Sequence, residues 1–446
     1  MWTTLSDFKT IVPESRFFGS GFFVGSFAAI PLLLTAFIVP KPVQSDQSDA
    51  AVVQMFDYLI VGGGAAGLSL AYHMAQEPRL TSKKVLLIEP EAKNQNDRTW
   101  SFWADEPSPF DGIVAHEWRR IAFRSPGFER VIDLGRYRYK TINGLDYYRF
   151  VHRALAEQPA QFTVVRGLAQ ELENTPTGVR VRTTDGAAYN ACYAFDSRPP
   201  ALAKLKRPEK HRYLLQHFVG WEIETDVNVF DPTTVEFMDF RGEQQHEARF
   251  IYVLPFSPRK ALVEYTLFSE TPLPKTEYEA AIREYLHNAL GLTTYRITAE
   301  EVGAIPMTDH PLPGCTGAHI INLGTRGGRA KPSTGYAFKR IQQHSVRLVA
   351  ALAETGQPPA DATGDRWQFH LFDTLLLDIM RRQGETTRDI FRQLFERNPI
   401  ARIFRFLDEQ TSWAENLRVM NSVSPGPFMK SIGHVVRGRP GQRNEE

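Results

Sequence analysis

A short apolar segment that runs directly into a glycine-rich loop constrains the fold of this chain more than any other feature. Residues Asp57–Val61 read DYLIV, a run typical of a buried parallel strand. Gly62, Gly64 and Gly67 follow at the spacing G-x-G-x-x-G, and an amphipathic segment comes next. Glycines at these positions permit a tight turn and let a pyrophosphate approach the N-terminus of the following helix. The pattern predicts a strand, a phosphate-binding loop and a helix, in that order.

A second apolar run supports this assignment. Residues Lys84–Ile88 (KVLLI) are followed by Glu89, which stands 22 residues after Gly67. A carboxylate at this point can accept hydrogen bonds from a ribose hydroxyl group. Together the elements predict a dinucleotide site that includes Glu89 and, in the loop, Ala65 and Ala66. The alternative is an ordinary glycine-rich turn.

A second glycine-rich segment lies far along the chain. Residues Ile320–Gln342 again have the pattern of a strand, a glycine-rich loop and a helix. An N-terminal fingerprint paired with such a distant loop is the arrangement of FAD proteins of the hydroxylase type, in which the second loop holds the ribityl chain and the flavin. The candidate cofactor-binding residues of this loop are Gly324, Thr325, Gly327, Gly328, Thr334 and Gly335. The alternative is a simple helix entrance capped by Ser333 or Thr334.

Charge and cysteine content argue against several classes of function. The 446 residues carry 52 Lys and Arg against 51 Asp and Glu, a formal net charge of +1, and no basic block dominates. Such a composition offers no electrostatic support for a nucleic-acid partner. Cys192 and Cys315 stand far apart and lack metal-site spacing. This pattern argues against zinc and a disulfide framework and fits a reducing compartment.

The first 54 residues allow three interpretations. The segment Gly21–Val39 has 19 uncharged residues, about long enough to span a bilayer. The interpretation that we rank first is that Met55, two residues before the first predicted strand, is the natural start. A membrane anchor ranks second. An exported protein ranks third, because no clear small-x-small cleavage site follows the segment.

An acidic residue stands inside a predicted apolar strand. The segment Ala261–Phe268 (ALVEYTLF) is mainly aliphatic and aromatic around Glu264. Strand alternation gives Glu264 three neighbours on its own face: Leu262, Thr266 and Phe268. A carboxylate in such surroundings is costly unless it is paired, hydrogen-bonded or protonated. The pattern predicts a functional buried carboxyl group or, alternatively, an edge strand with one exposed Glu.

Two further segments, Thr234–Arg241 and Arg249–Phe256, complete a predicted antiparallel meander with this strand. Asp239 lies on the first of them. Alternation predicts that Asp239 shares a face with Val235 and Phe237. Asp239 is therefore a second candidate for an acidic residue at an apolar cavity. The alternative is a structural hydrogen-bond acceptor.

Whole motifs in the sequence resemble the lycopene cyclase family, bacterial lycopene β-cyclases in particular, from about Phe56 to Val436. The stretches that carry the resemblance are DYLIVGGGAAGLSLA, RTWSFW, FDSRP, GWEIET, MDFR, FIYVLPFSPRKALVEYT, IPMTDHPLP, KPSTGYAF and RFLDEQTS. Several of these are specific to the family and are not shared across flavoproteins. The first 54 residues fall outside the resemblance.

The resemblance implies an isomerase that cyclises the linear ψ-ends of lycopene, or of related carotenoids, to β-rings. Such an enzyme needs reduced FAD but catalyses no net redox change, and NAD(P)H is the expected reductant. The catalytic acid motif of the family stands here as LVEYT, which implies that Glu264 is the general acid/base. Asp239 is the secondary catalytic candidate, orienting that acid or balancing charge. Tyr265 stands where other members often carry another carboxylate.

The resemblance also implies a peripheral protein on the cytoplasmic side of a membrane, with other enzymes of carotenoid biosynthesis as expected partners. From Trp367 to Val436 the sequence has a helical pattern with apolar clusters bounded by arginines. Such helices either pack on the rest of the protein or contact the membrane interface from which a carotenoid is drawn. Trp100, Phe102 and Trp103 are core residues or, alternatively, aromatic faces beside a carbocation.

Three positions of the second loop depart from related patterns. Arg326 and Arg329 stand where many family members have small residues, and Thr325 stands where hydroxylases typically have Asp. The last departure argues against an oxygen-activating hydroxylase. The alternative enzyme is still a flavin-dependent oxidoreductase, a monooxygenase or polyprenyl reductase, that consumes NAD(P)H in step with product. A non-catalytic carotenoid-binding flavoprotein is the third hypothesis, favoured if Glu264 is solvent-exposed.

These features predict an α/β fold in which a Rossmann-like FAD-binding domain carries an inserted antiparallel β-sheet substrate domain and a C-terminal helical region. The expected boundaries are 1–54 for an N-terminal extension, 55–120, 185–200 and 300–350 for the discontinuous FAD-binding domain, 121–184 and 201–299 for the substrate-binding parts, 351–436 for the helical, membrane-facing region and 437–446 for a tail. No metal-binding pattern is present in the sequence.

Overall fold

The structure is a computed structural model that describes residues 54–200, 210–359 and 367–437. Within these ranges the chain forms three β-sheets and nine α-helices. The strands are β1 (Met55–Val61), β2 (Val85–Glu89), β3 (Thr99–Ala104), β4 (His116–Trp118), β5 (Arg120–Ser125), β6 (Phe128–Asp133), β7 (Arg138–Asn143), β8 (Phe162–Arg166), β9 (Ala169–Thr175), β10 (Gly178–Thr183), β11 (Ala188–Asp196), β12 (Tyr213–Glu224), β13 (Thr234–Asp239), β14 (Ala248–Ser257), β15 (Lys260–Ser269), β16 (Arg296–Thr308) and β17 (Ile320–Asn322). The helices are α1 (Ala65–Gln76), α2 (Gly144–Ala156), α3 (Lys275–Asn288), α4 (Phe338–Thr355), α5 (Trp367–Arg382), α6 (Thr386–Arg397), α7 (Ile400–Leu407), α8 (Trp413–Met420) and α9 (Pro425–Arg437).

The first sheet contains the predicted nucleotide-binding strand. Its order is β8-β2-β1-β11-β10-β9, with β17 beside β11, and β1 runs parallel to both β2 and β11. Helix α1 follows β1 through the glycine loop and packs against α4. A Cβ atom at Gly67 would lie 1.9 Å from the Gly62 carbonyl oxygen, so only glycine lets the helix start this close to the strand. The predicted order of strand, loop and helix is confirmed.

The second sheet has the order β16-β12-β15-β14-β13-β5-β6 and is antiparallel except where β13 pairs with β5. The predicted meander of β13, β14 and β15 is confirmed. The β15 side chains that pack toward α3 are Ala261, Val263, Tyr265 and Leu267. Leu262 and Phe268 belong instead to the core on the opposite face. The predicted alternation of β15 is therefore also confirmed, and it gives the two faces of the sheet different environments.

A small third sheet, β3-β7-β4, lies beside the start of α4. Trp100 and Phe102 of β3 both stack on Phe338, the first residue of α4, with ring centroids 5.8 and 4.7 Å apart. These contacts are apolar and buried, and they tie the third sheet to the segment that follows the second glycine-rich loop. The aromatic motif of β3 therefore has a structural role in the fold.

The C-terminal helices cover one face of the second sheet. Phe395 of α6 stacks on Phe123 of β5 with ring centroids 4.6 Å apart, and Phe404 of α7 stacks on Trp103 of β3 at the same distance. Among the described helices, none is long and apolar enough to cross a membrane. The candidate spanning segment Gly21–Val39 lies outside the described residues.

A buried ion cluster joins the second glycine-rich loop to these helices. The Lys331 ammonium group lies 2.9 Å from a carboxylate oxygen of Asp373 on α5 and 2.9 Å from one of Glu409, which follows α7. Ser333 donates a 2.5 Å hydrogen bond to Asp373, and Arg340 of α4 pairs with Glu409. The Lys331 side chain is 3% exposed, so its charge is compensated almost entirely by protein groups.

We predict that Lys331→Met destabilises the protein by about 3–5 kcal/mol, because the substitution leaves buried carboxylates without their central cation. The measurement is the free energy of unfolding in urea. The control is Lys83→Met, which removes a cation from a partly exposed pair with Asp57 and is expected to cost less than about 1 kcal/mol. Equal effects of the two substitutions would contradict the prediction.

Candidate active site

Glu264 lies in the middle of the second sheet and not at its edge. Its strand, β15, pairs with β12 on one side and β14 on the other, and the register places Tyr252 and Gly220 opposite Glu264. Gly220 in turn lies opposite Glu301 of β16. Residues opposite one another in antiparallel strands point to the same face. Four adjacent strands, β14, β15, β12 and β16, therefore present one row of residues on this face. In order, the row consists of Tyr252, Glu264, Gly220, which has no side chain, and Glu301.

This row faces a cavity between the second sheet, β3 and the segment before α4. Its lining is mainly aromatic and aliphatic, and the lining residues include Trp100, Tyr139, Gln216, Tyr252, Leu254, Leu262, Glu264, Glu301, Ile305, Thr334, Gly335, Tyr336 and Phe338. An apolar cavity with a few converging polar groups is the usual form of a small-molecule site.

The environment of Glu264 favours its protonated form. Burial raises the pKa of this carboxyl group to about 8, and the charge of Glu301 acts in the same direction. Thr266 Oγ1 donates a 2.6 Å hydrogen bond to Glu264 Oε1, which opposes these two effects. Near neutral pH most of the Glu264 side chains are therefore uncharged acids. A protonated carboxyl group at an apolar cavity is suited to general acid catalysis.

Glu301 is the site residue that the sequence analysis missed. Burial raises its pKa to about 7, and the backbone N–H of Thr99 opposes this shift by donating a 2.9 Å hydrogen bond to its Oε1 atom. Tyr265 stands at the motif position where other members often carry a carboxylate, so the motif itself supplies Glu264 with no acidic neighbour. Tyr265 points to the opposite face, as expected, and contacts Arg249 there. The acidic neighbour comes from β16, which pairs with the far side of β12, and no local pattern of side chains in the sequence marks it.

Three tyrosine rings surround the Glu264 side of the cavity. Tyr252 and Tyr336 have hydroxyl groups 3.3 Å apart, and Tyr139 lines the same wall. Burial raises the pKa of all three phenols. Trp100 lines this cavity, whereas Trp103 stacks on Phe404 and its Nε1 atom donates a 3.0 Å hydrogen bond to Asp408.

Asp239 does not lie where alternation predicted. The pairing register of β13 shifts between Glu236 and Asp239, so Asp239 faces α3, opposite to Phe237. There its carboxylate accepts a 3.1 Å hydrogen bond from Tyr285 and forms a 2.5 Å ion pair with Arg241. The expectation that Asp239 shares a face with Phe237 is wrong, because a bulge inserts one residue into the strand. The structure gives Asp239 a pairing role and does not bring it to the cavity that Glu264 lines.

The first glycine loop lies at the end of β1, where an open channel begins. The backbone N–H of Gly63 donates to Glu89 Oε2, which keeps the predicted ribose-binding carboxylate beside the loop. Gly64, Ala65 and Ala66 line one end of the channel. Gly62 and Gly67 form the turn itself, as the Gly67 contact with the Gly62 carbonyl oxygen requires.

The second loop closes the channel from the other side. A Cβ atom at Gly324 would lie 2.9 Å from Ala66 Cβ, and Thr325 lines the channel. At Gly327 the loop folds back so closely that a Cβ atom there would overlap the carbonyl oxygen of Asn322. Gly328 lines a second cavity on the outer side of the loop. Trp100, Ala337 and Phe338 line both the channel and the cavity of Glu264, so the two loops and the carboxyl row border neighbouring parts of one region.

Two buried polar atoms in this space have no hydrogen-bond partner among the described residues. They are Thr334 Oγ1 and Gln216 Oε1, and both line the cavity of Glu264. Gly335 has φ +71°, and a Cβ atom there would lie 2.2 Å from Gln216 Oε1. Unsatisfied polar groups beside a glycine cradle fit an elongated ligand with its own hydrogen-bonding groups, such as a flavin dinucleotide.

The arginines that depart from the family pattern point away from the channel lining. Arg326 Nε lies 3.3 Å from Asp196 Oδ2 at the end of β11 and donates to the Arg198 carbonyl oxygen. Arg329 donates to the carbonyl oxygen of Gly327 in its own loop. Within the part of the chain that the structure describes, no group of acidic, His or Cys side chains has the arrangement of a metal site.

Comparison with known proteins supports the family resemblance that the sequence motifs indicate. The family model described as "Lycopene cyclase protein" matches residues 57–432. The protein named lycopene beta-cyclase from Paracoccus sp. is 28% identical over 405 residues, which cover 86% of this chain and 97% of that protein. The lycopene beta-cyclase from Pseudescherichia vulneris is 24% identical over 409 residues, covering 88% of this chain and 100% of that protein.

Solved structures show a similar fold at low sequence identity. A geranylgeranyl bacteriochlorophyll reductase-like protein from Thermoplasma acidophilum has a TM-score of 0.53 at 14% identity, covering 86% of this chain and 100% of that one. A flavin-dependent brominase has a TM-score of 0.50 at the same identity and coverage. These similarities support the Rossmann-like α/β fold. Since the family model spans most of the sequence, this chain belongs to the lycopene cyclase family.

Proposed function

We propose that this protein is a lycopene β-cyclase, which converts the ψ-ends of lycopene to β-rings without net redox change. The observation that carries the proposal is a carboxyl group, Glu264, whose pKa of about 8 keeps it protonated in a cavity walled by aromatic and aliphatic side chains. A hydrocarbon substrate has no polar group that such a cavity must satisfy. Relatives from two bacteria carry the name of this activity.

The chemistry requires an acid that is both buried and protonated. Protonation of the terminal C1=C2 double bond at C2 gives a tertiary cation at C1, which the C5=C6 double bond attacks. Loss of the C6 proton then forms the β-ring. Because an alkene is a poor base, the acid must be desolvated and aimed at the double bond. We assign this proton to Glu264, and the rings of Tyr139, Tyr252 and Tyr336 present faces that stabilise positive charge.

The residues of the two glycine loops are the proposed binding groups for FAD. Gly62, Gly64 and Gly67 would admit the pyrophosphate to the N-terminus of α1, and Glu89 would accept from the ribose. The remaining proposed groups are Ala65, Ala66, Gly324, Thr325, Gly327, Gly328, Thr334 and Gly335. Reduced flavin would supply negative charge beside the developing cation, and NAD(P)H is the proposed reductant.

An exposed apolar surface supports the proposal that the protein works at a membrane. Trp367 and Leu371 of α5 and Trp413 and Leu417 of α8 are exposed, and each pair is separated by one helical turn. The two indole rings lie 5.7 Å apart, which joins the two pairs into one surface. Tryptophan is the residue most typical of the membrane–water interface. We propose that this surface, the α5–α8 patch, rests on the cytoplasmic side of the bilayer that holds the carotenoid.

An anaerobic assay with lycopene in liposomes tests the function. Purified protein with FAD receives NADPH or dithionite, and carotenoids are separated by chromatography. Formation of γ-carotene and β-carotene without matching oxidation of the reductant supports the cyclase. Consumption of reductant in step with a hydroxylated or saturated product would establish an oxidoreductase instead. Binding of carotenoid without any product would establish a non-catalytic protein. The number of rings in the product shows whether one or both ends of lycopene are cyclised.

We predict that Glu264→Gln lowers turnover at least about 100-fold, because the amide cannot donate the proton that general acid catalysis supplies. Wild-type activity should fall as the pH rises through about 8, where Glu264 loses its proton. Glu270→Gln, on the surface just after the same strand, is the matched control and should keep full turnover. Full activity in Glu264→Gln would remove Glu264 from the mechanism.

We predict that Gly67→Ala abolishes retention of FAD, because the new methyl group would overlap the Gly62 carbonyl oxygen at 1.9 Å and displace the start of α1. The measurement is the ratio of flavin to protein absorbance after gel filtration. Gly112→Ala is the control, since no atom lies within 4 Å of the position that its Cβ would occupy. Wild-type flavin content in Gly67→Ala would argue against this loop as the binding site.

We predict that Trp413→Glu weakens binding to vesicles of phosphatidylcholine and phosphatidylglycerol about tenfold or more, since burying one large apolar side chain contributes about 1.5–3 kcal/mol. Co-sedimentation measures the bound fraction. Val227→Glu introduces the same charge at an exposed apolar residue outside the helical region and should leave binding unchanged. Equal loss in both variants would mean that charge alone, and not the α5–α8 patch, determines binding.

A further inference from the structure

The cavity holds a second carboxyl group that the catalytic motif of the sequence does not include. Glu301 and Glu264 both line the cavity, and each lies opposite Gly220, one on either side of β12. Neighbouring strands are about 4.8 Å apart, so the two Cα atoms are roughly 10 Å apart across the sheet. Both side chains lie on the same face of the sheet and border the same cavity, with only a glycine between them in the row.

Gly220 leaves the space between the two carboxyl groups open. A Cβ atom at this position would lie 3.1 Å from Leu262 Cδ1 and 3.4 Å from Glu264 Cβ. Any larger side chain would fill part of the cavity wall between Glu264 and Glu301. The glycine therefore allows Glu264 and Glu301 to act on the same part of a bound molecule.

The protein stabilises different protonation states of the two carboxyl groups. Among the residues that the structure describes, the hydrogen-bond donor to Glu264 is the neutral hydroxyl group of Thr266, at 2.6 Å. Glu301 accepts from the backbone N–H of Thr99, and the positive charge of Arg98 favours its ionised form. Within the described ranges, Glu301 has no ion-pair partner within 4 Å that would hold its charge permanently. These surroundings favour the proton on Glu264 and the negative charge on Glu301.

We propose that Glu301 is the base of the cyclisation, accepting the C6 proton after Glu264 has protonated C2. This inference rests on the proposed cyclase function. The O–H bond of Glu264 breaks as the C2–H bond forms, C1 and C6 become bonded, and the C6–H electron pair forms the new C5=C6 double bond. The released proton goes to Glu301. Its return to Glu264 restores the starting state, so no external acid, base or oxidant is consumed.

The assignment explains why a β-ring can form within one cavity. C2 and C6 are both bonded to C1 in the product ring, and a donor and an acceptor on adjacent parts of one wall can reach both atoms. A single carboxylate would have to give up its proton at C2 and then recover another from C6 while the cation persists. Two carboxyl groups separate these steps, as acid–base pairs do in other enzymes.

The test is Glu301→Gln, because the amide oxygen can still accept from the Thr99 N–H while the side chain can no longer take a proton. We expect turnover to fall at least about 100-fold with unchanged bound flavin and unchanged circular dichroism. Wild-type activity should rise with pH through about 7, as Glu301 ionises, and fall above about 8. The residual activity of Glu301→Gln should lack the rising limb. Glu301→Asp should recover part of the turnover and keep that limb.

Glu300→Gln is the matched control. Glu300 is the preceding residue on the same strand, points away from the cavity and pairs with Lys275 at the surface. Turnover of Glu301→Gln within twofold of this control, an unchanged rising limb or a loss of bound flavin would overturn the role of Glu301 and leave the cyclase function intact. Absence of any ring product from the wild-type protein would overturn both proposals together.

Discussion

The burial of an ionisable carboxyl group in a central β-strand is the constraint on which the rest of this site depends. Glu264 lies between two paired strands, and both faces of its sheet are covered, one by α3 and the other by the third sheet and the C-terminal helices. The Glu264 carboxyl group faces a mainly apolar cavity and is removed from most of the solvent, and this environment favours its protonated form. In the proposed cyclisation, the same apolar lining would shield the carbocation from water. The apolar cavity would therefore serve both the proposed acid and the proposed cation.

The second glycine-rich loop lies between this cavity and the C-terminal helices. Thr334 and Gly335 line the cavity, while Lys331, at the base of the same loop, is held by Asp373 of α5. Helix α5 also begins with Trp367 in the α5–α8 patch. The Lys331–Asp373 ion pair therefore links the proposed flavin-binding loop to the helix that carries part of the proposed membrane-binding surface.

Sequence patterns predicted the parts of this protein that depend on neighbours along the chain. The glycine spacing after β1 dictates a tight turn whatever the surroundings, and strand alternation in β15 separates the Glu264 face from the Tyr265 face. The same reasoning failed for Asp239, where one inserted residue in β13 reverses the faces. A bulge changes the backbone pairing without leaving a mark in the apolar pattern, since Phe237 and Met238 are both buried.

The sequence by itself determined the glycine fingerprint, the meander and the family, and it singled out Glu264 as the candidate acid. Only the tertiary structure decided which residues share the cavity with that acid. Glu301 is 37 residues from Glu264 along the chain, and the two meet because β12 lies between β15 and β16 with Gly220 in register with both. Strand order and register arise from the packing of the whole sheet, and a local pattern of side chains carries no information about them. The physical reason is that a carboxyl group's pKa depends on the charges and solvent around it, which long-range pairing alone brings together.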